Sequence, residues 1–384
     1  NIERDGLVFG MDTGYGVANN STATRFYRGE PTTNFASTDS LRTMVQYADN
    51  TVASSDAPEK GPGWKKVTIT NRGTNFRTAK FPYISHPTNT TRIYSLEIDF
   101  NGTSGYYIRG DGFSGLGPNQ YTNGQYTATF TTTTGNGSMA LFLNNGTTSV
   151  TGIYDVIYYR NYQVETNNYK TPFVSDVRTS TQSLIDLTKS TNIDVSNVSF
   201  DSTGQPTFDG TDDLIAVNPG TFPSSWSQPF TLEAIVYIPS SATWYNQGSG
   251  LGIVGRGSYT GSWGLMRGGG NNTVYLYIRT GGNTFNPGGT IGRDKYYHIL
   301  GTWNGINQAI FYINGNQNSQ ETNSNVGTTV DNTGNIVIGG NIAFGGSNGG
   351  YGEGTYPVVK LYNRALSADE VQQNYNAYKN RFNL

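Results

Sequence analysis

The sequence predicts an all-β chain of two antiparallel β-sandwich or jelly-roll domains, closed by a short C-terminal α-helix. The first observation is strand-period alternation. Tyr94-Ser95-Leu96-Glu97-Ile98-Asp99-Phe100 puts Tyr, Leu, Ile and Phe on one face and Ser, Glu and Asp on the other. The second is punctuation by Asn-Gly pairs at 123–124, 136–137, 145–146, 304–305 and 314–315. Asn-Gly accepts the positive φ of a type I′ turn, whose twist matches a β-hairpin. Strands interrupted this often suit sandwiches rather than parallel βαβ units. The third is Ser367-Ala368-Asp369-Glu370, a capping box, followed by Val371, Tyr375, Tyr378 and Phe382 at helical spacing. That apolar stripe is expected to pack against the same chain.

Two denser runs, Val274-Tyr275-Leu276-Tyr277-Ile278 and Ile310-Phe311-Tyr312-Ile313, are expected to be buried on both faces. The 384 residues allow two or three domains. Thr166 to Asn192, with Asn167-Asn168 and Thr171-Pro172, reads as a connection. A second joint falls near Asn20 to Arg25.

Composition narrows the function. Lys and Arg number 25 against 27 Asp and Glu, so no basic field points to nucleic acid or an anionic membrane. Aromatics make up 13% of the chain, with 27 Tyr and 18 Phe, which supports packed cores rather than disorder. Gly, Asn, Thr and Ser dominate the rest, as in extracellular β-proteins and virion fibres. There is no cysteine, hence no disulfide framework or thiolate site. No apolar run reaches the roughly 18 residues of a membrane span. The chain starts at Asn1 without a leader pattern and is expected to be trimmed or matured. Triplets such as Asn20-Ser21-Thr22 and Asn145-Gly146-Thr147 are expected by chance in so Asn- and Thr-rich a sequence.

From about Gln205 onward an ordered set of segments carries a resemblance. It runs Phe208-Asp209-Gly210-Thr211-Asp212-Asp213, Phe230-Thr231-Leu232-Glu233-Ala234, Tyr297-His298-Ile299-Leu300-Gly301-Thr302-Trp303-Asn304-Gly305 and Phe311-Tyr312-Ile313-Asn314-Gly315. Leu361-Tyr362-Asn363-Arg364-Ala365-Leu366-Ser367 completes it. This order resembles the concanavalin A-like, laminin-G-like lectin domains of bacteriophage structural proteins and secreted bacterial proteins. Asp5 to Thr13 resembles that domain's first strand, and Leu184-Ile185-Asp186-Leu187 resembles the segment that usually follows soon after. The resemblance therefore implies a discontinuous jelly roll, 1–23 plus 173–384, with 24–172 inserted into one of its loops. Insertion at an exposed loop is thermodynamically mild, because closure entropy grows only logarithmically. Two plain tandem domains split near residue 170 are the rival, and pairing of residues 6–12 decides between them. The inserted part resembles a carbohydrate-binding-module sandwich through Gly29 to Asn34, Trp64 to Thr68, Tyr94 to Phe100 and Tyr154 to Tyr162, the last read as a closing strand.

Catalytic constellations are sparse. The only histidines are His86, in a polar loop, and His298, read as structural within a strand. Glu97-Ile98-Asp99 resembles the start of the Glu-x-Asp-x-x-Glu motif of laminarinase-like hydrolases, but Gly102 stands at the third position. Without that acid, retaining hydrolysis has no proton donor for its leaving group. Glu97 and Asp99 are instead expected on the wet face of their strand. Gly268-Gly269-Gly270 and Gly345-Gly346 are expected as rim loops, not phosphate cradles. Asp209, Asp212 and Asp213 could hold Ca²⁺, which takes roughly 6–8 oxygens. The resemblance implies an acidic partner on a late strand, where this chain has Pro357-Val358; the rival is a plain turn capped by Asp212. Otherwise no cofactor is expected.

Sugar-stacking aromatics are expected in Gly/Ser-rich loops: Trp244, Tyr245, Tyr259 and Trp263 in the C-terminal half, and Tyr106, Tyr107 and Tyr121 in the N-terminal half. The resulting expectation is a non-enzymatic, extracellular virion protein of a tailed bacteriophage (head decoration, fibre or adhesin). Its partners would be other virion proteins, further copies of itself as a homo-oligomer, and host-surface polysaccharide. Neither nucleic acid nor membrane insertion is expected. A secreted carbohydrate-binding module and a divergent glycosidase are the alternatives.

Overall fold

The computed structural model describes residues 2–13, 31–47, 51–71, 77–85, 91–99, 106–111, 125–132, 137–143, 155–166, 170–201, 204–220, 222–223, 225, 227–242, 251–256, 262–268, 272–280, 283–324, 334–340 and 350–384. The chain divides into two compact units, Asn1–Glu30 with Ser180–Leu384, and Pro31–Thr179. Among the described residues no helix is long and apolar enough to cross a membrane.

The first unit is a sandwich of two sheets. One runs in the order Ser199–Phe200, Pro206–Asp209, Glu353–Tyr362, Phe230–Tyr237, Tyr296–Trp303, Gln308–Ile313, Asn316–Thr322, with Leu7–Asp12 also on Glu353–Tyr362. The other runs Ile215–Val217, Ile336–Ile338, Leu251–Arg256, Trp263–Arg267, Thr273–Arg279, Thr284–Phe285, with two further short strands. Residues 7–12 thus pair antiparallel with 358–362, inside this unit. The strand Phe230–Tyr237 is buried along nearly its whole length because both its faces are covered. Leu232, Ala234 and Val236 enter the core between the sheets. Ile235 points the other way, with Val358, toward Tyr378 and Phe382 of the C-terminal helix.

That helix, Ala368–Phe382, starts where its capping box directs. The Ser367 side chain accepts from Glu370 N, and Glu370 Oε2 accepts from Ser367 N at 2.7 Å. Val371, Asn374, Tyr378 and Phe382 form its buried face, so the stripe packs on the same chain as the spacing predicts. Tyr375 is only half-buried and lies beside His298. Replacing Ser367 with alanine is expected to cost about 1 kcal/mol, read as a lower melting temperature. The Asn314-Gly315 pair forms the two-residue turn between Gln308–Ile313 and Asn316–Thr322, both residues at positive φ (49° and 77°). One expectation fails: Thr273–Arg279 alternates buried and half-buried positions, so Tyr275 and Tyr277 lie on a partly open face.

The second unit holds a five-stranded sheet, Thr51–Asp56, Lys65–Asn71, Asp155–Glu165, Arg92–Asp99, Gln125–Thr132. A four-stranded sheet, Val45–Gln46, Arg77–Lys80, Ser138–Leu143, Tyr106–Asp111, and the pair Thr32–Thr33 with Val177–Arg178 complete it. Val67, Ile69, Tyr94, Leu96, Ile98, Ile157, Phe81 and Met139 fill the core. The strand read as closing, Asp155–Glu165, lies at the centre of its sheet.

Candidate functional site

A cleft of about 750 Å³ opens in the second unit. Trp64, Tyr159 and Tyr162 line it but are almost wholly buried, so they support the cleft rather than present a face to it. One wall is the turn of Pro58–Lys60 and the glycines that follow it. Gly61 and Gly63 sit at φ +103° and +76°, which lets the loop fold back so that Ala57 N donates to Trp64 O at 2.9 Å.

The opposite wall comes from an irregularity in Asp155–Glu165. Its register against Arg92–Asp99 shifts between Arg160 and Gln163, and Asn161 takes a left-handed φ of 57°. A bulge cancels the alternation of side chains and re-aims them. Consecutive residues therefore reach the same carboxylate: Arg160 Nε donates to Glu97 Oε2 at 2.7 Å and Asn161 Nδ2 donates to Oε1 at 2.9 Å. The Arg160 guanidinium also lies 4.7 Å from the Trp64 ring centroid, a cation–π contact. Phe173 adds an exposed aromatic at the rim.

Two of the three cations lining the cleft, Lys65 and Arg160, are paired with carboxylates. Lys65 Nζ meets Asp39 at 3.1 Å and Asp56 at 3.2 Å. Burial would pull the Lys65 ammonium down, but these two carboxylates outweigh it and raise it. Arg42 Nη1 donates to the carbonyls of Ala36, Ser37 and Ser175 at 2.8, 2.7 and 2.6 Å.

This geometry bears on the hydrolase alternative. Burial pushes the Glu97 carboxyl up, yet hydrogen bonds from Asn161 and Arg160, with the charges of Arg160 and Lys170, hold it below its ordinary value. A general acid needs the opposite shift. Asp99 is not on a wet face: it is buried, with Lys60 Nζ at 2.6 Å from its carboxylate. Covering by the Pro58–Lys60 turn accounts for the difference. Gly102 lies outside the described residues.

Of the aromatics expected to stack sugars, Trp263 needs correction. It is 2% exposed, its ring wedged between Phe222 and Phe230 at centroid distances of 5.0 and 5.3 Å. The Gly/Ser flanks suggested a loop, but Trp263 opens a strand facing the inter-sheet core and has no face left for a ligand. Tyr106 and Tyr107 begin the strand Tyr106–Asp111. Trp244, Tyr245, Tyr259, Tyr121 and His86 lie outside the described residues. His298 is fully buried, with Nε2 at 3.1 Å from Glu233 Oε1.

The carboxylates of Asp209, Asp212 and Asp213 lie within 4.8 Å of one another. Burial first, then the charges of Asp209 and Asp212, raises Asp213 above its ordinary value. These hard oxygens suit Ca²⁺ in kind, and the three aspartates would hold it. The loop is nevertheless closed by its own bonds. Asp213 accepts from Asp209 N at 2.8 Å, Asp209 accepts from Thr211 N at 2.7 Å, and Gly210 supplies φ +78°. Asp213, rather than Asp212, caps the turn. The acidic residue facing Asp209 across the sheet is Glu353, while Val358 is buried under the helix.

Both units are thus predominantly antiparallel β-sheet, the first with one short parallel pair and a C-terminal helix. The model of the concanavalin A-like lectin/glucanases superfamily matches residues 209–372, within the first unit. No curated protein matches the chain in sequence. Among solved structures it is similar to the botulinum neurotoxin serotype D binding domain, at 15% identity and a TM-score of 0.41, over 52% of this chain and 49% of that one. It is similar to the binding domain of Paraclostridial Mosquitocidal Protein 1, at 16% and 0.41, over 51% and 50%. Domain 4 of AbnA, a GH43 extracellular arabinanase from Geobacillus stearothermophilus solved with arabinotriose, gives 16% and 0.36, over 48% and 81%. The chain spans about half the length of the two toxin domains.

Proposed function

We propose that this chain is a non-enzymatic glycan-binding protein, and that it serves on the virion of a tailed bacteriophage as a head decoration, fibre or adhesin contacting host-surface polysaccharide. The observation that carries the binding reading is the polar-walled cleft around Arg160 and Asn161, with Phe173 exposed at its rim. Binding sites for small ligands combine an apolar surface with a few fixed polar groups, and this cleft has both. The locked state of Glu97 supports the non-enzymatic part, since a carboxylate held low by an arginine gives up no proton to a leaving group. The virion assignment is supported by the Gly-, Asn-, Thr- and Ser-rich composition and by the lectin-like segments of the first unit. Many displayed copies would compensate for weak single sites through avidity.

Glycan-array screening followed by calorimetry tests the binding reading. Arg160→Ala and Phe173→Ala are each expected to weaken binding by about tenfold, roughly 1.4 kcal/mol. Release of reducing sugar that vanishes in Glu97→Gln would overturn the non-enzymatic reading. Mass spectrometry of purified phage particles tests the virion location. Glycan binding by a protein absent from particles would instead favour a secreted carbohydrate-binding module.

A further inference from the structure

We infer that the cleft around Arg160 takes a carboxylate-bearing glycan, whose acid group meets the open nitrogens of Arg160 and Arg42 and whose hydroxyls meet Asp39, Asp56 and Asn161. This rests on the glycan-binding reading of the same cleft and adds the chemical class of ligand.

Arg160 and Arg42 both line the cleft, and the protein uses only part of each. Arg160 donates through Nε to Glu97 Oε2, which leaves Nη1 and Nη2 to donate to a ligand, and its side chain is 32% exposed. Arg42 donates from Nη1 to the carbonyls of Ala36, Ser37 and Ser175, which leaves Nε and Nη2. These bonds hold both guanidinium groups in place before any ligand arrives, so little ordering entropy is lost on binding. A planar guanidinium with two open nitrogens matches the geometry of a carboxylate.

The two arginines belong to neighbouring parts of the cleft. Asn34 Nδ2 donates to Tyr162 O at 3.3 Å and to Val174 O at 2.9 Å, which sets the bulge at Arg160-Asn161 beside the segment Phe173–Ser175. Ser175 O is in turn 2.6 Å from Arg42 Nη1. Phe173, exposed at this rim, offers a flat surface for the apolar face of a sugar ring.

The rest of the lining suits hydroxyls. Lys65 is shared by Asp39 and Asp56, and each aspartate commits one oxygen to it. Their side chains are 72% and 84% exposed, and their second oxygens accept from hydroxyl donors. Asn161 spends one N–H on Glu97 and keeps its carbonyl and second N–H. The lining thus holds three cations against two carboxylates. A densely sulfated or phosphodiester chain would bring anions against those aspartates. A sugar acid brings a single carboxylate among several hydroxyls, which this lining fits. Hexuronates and sialates share that chemistry.

The test is calorimetry on the full chain with oligogalacturonate, its methyl ester, sialyllactose and lactose. Esterification cancels the charge and keeps the ring and its hydroxyls. At least one acid is expected to bind about tenfold more tightly than its neutral counterpart, a margin of roughly 1.4 kcal/mol that shrinks as salt rises. The margin should vanish in Arg160→Gln. It should widen in Asp56→Asn, which removes a rim carboxylate at a position too exposed to affect folding. A margin for oligogalacturonate alone would assign a hexuronate, and one for sialyllactose alone a sialate; either supports the carboxylate class. Neutral counterparts that bind as tightly as the acids, yet weaken in Phe173→Ala, would overturn the carboxylate class while leaving the cleft as a glycan site. Acid binding that survives Arg160→Gln, Arg42→Gln and Phe173→Ala, or no glycan binding of either kind, would overturn the cleft reading itself and this inference with it.

Discussion

Replacing Glu233 with glutamine is expected to destabilise the first unit by roughly 3–5 kcal/mol, the usual effect of removing one partner from a buried ion pair. Glu233 is fully buried between the sheet and the C-terminal helix. Its Oε1 lies 3.1 Å from both Lys360 Nζ and His298 Nε2; its Oε2 accepts from Asn374 Nδ2 at 2.8 Å and Tyr362 OH at 3.3 Å. A carboxylate only accepts, so His298 must carry its proton on Nε2. Burial pushes the Glu233 carboxyl up, but Lys360 and then His298 outweigh it and bring it down to about 2. Burial outweighs the pull of Glu233 and Asp12 on Lys360 and leaves its ammonium below the ordinary value.

The sign of the pH dependence follows from Glu233. Its folded carboxyl titrates below the unfolded one, so its contribution is complete above pH 4.5 and is lost as pH falls toward about 2. At about 1.36 kcal/mol per unit, roughly 3 kcal/mol of acid sensitivity should reside in this one residue. Calorimetric melts between pH 5 and 2 measure it. In Glu233→Gln the protein should be weaker at neutral pH and its acid-dependent loss shallower. Glu233→Leu combined with Lys360→Met should recover part of the loss, since packed apolar residues often replace a buried pair at little cost. A Glu233→Gln protein that melts like the native one at pH 7 would show that the pair contributes nothing.

This network and the cleft were hidden in the sequence for a common reason. The capping box at Ser367 and the turn at Asn314-Gly315 are legible because their chemistry is closed within a few residues. Glu233 reads only as a polar residue in an apolar strand, because the lysine that pairs with it lies 127 positions away and the asparagine 141. The cleft joins Trp64 to Arg160 in the same non-local way. Its faint local signals are the Pro/Gly-rich run before Trp64 and the break in alternation at Arg160-Asn161. Trp263 was misread for the opposite reason: its neighbours Gly261, Ser262 and Gly264 have loop composition, but the register with Thr273–Arg279 carries the ring into the core. Local composition gives the turn; only the distant partner says which face is covered.

The second large effect lies at the other end of the chain. Phe9→Ala is expected to cost roughly 3–5 kcal/mol in the unit that contains residues 180–384. Phe9 and Met11 are fully buried in the core between its sheets, and their strand pairs with 358–362 of the central strand Glu353–Tyr362. Gly10 adds a second tie: its N–H donates to Asp186 Oδ1 at 2.9 Å, and its carbonyl accepts from Leu187 N at 2.8 Å. A Cβ at Gly10 would come within 2.6 Å of Leu187, so Gly10→Ala should also destabilise, by forcing that segment off the strand. The Gly10 contacts span about half the chain in sequence and the strand pairing about nine-tenths of it, and their entropy of closure depends only weakly on how many residues lie between. Deleting residues 1–12 should therefore abolish the cooperative melt of the first unit while the transition of Pro31–Thr179 persists. Loss of both transitions together would mean that the second unit does not fold without the first.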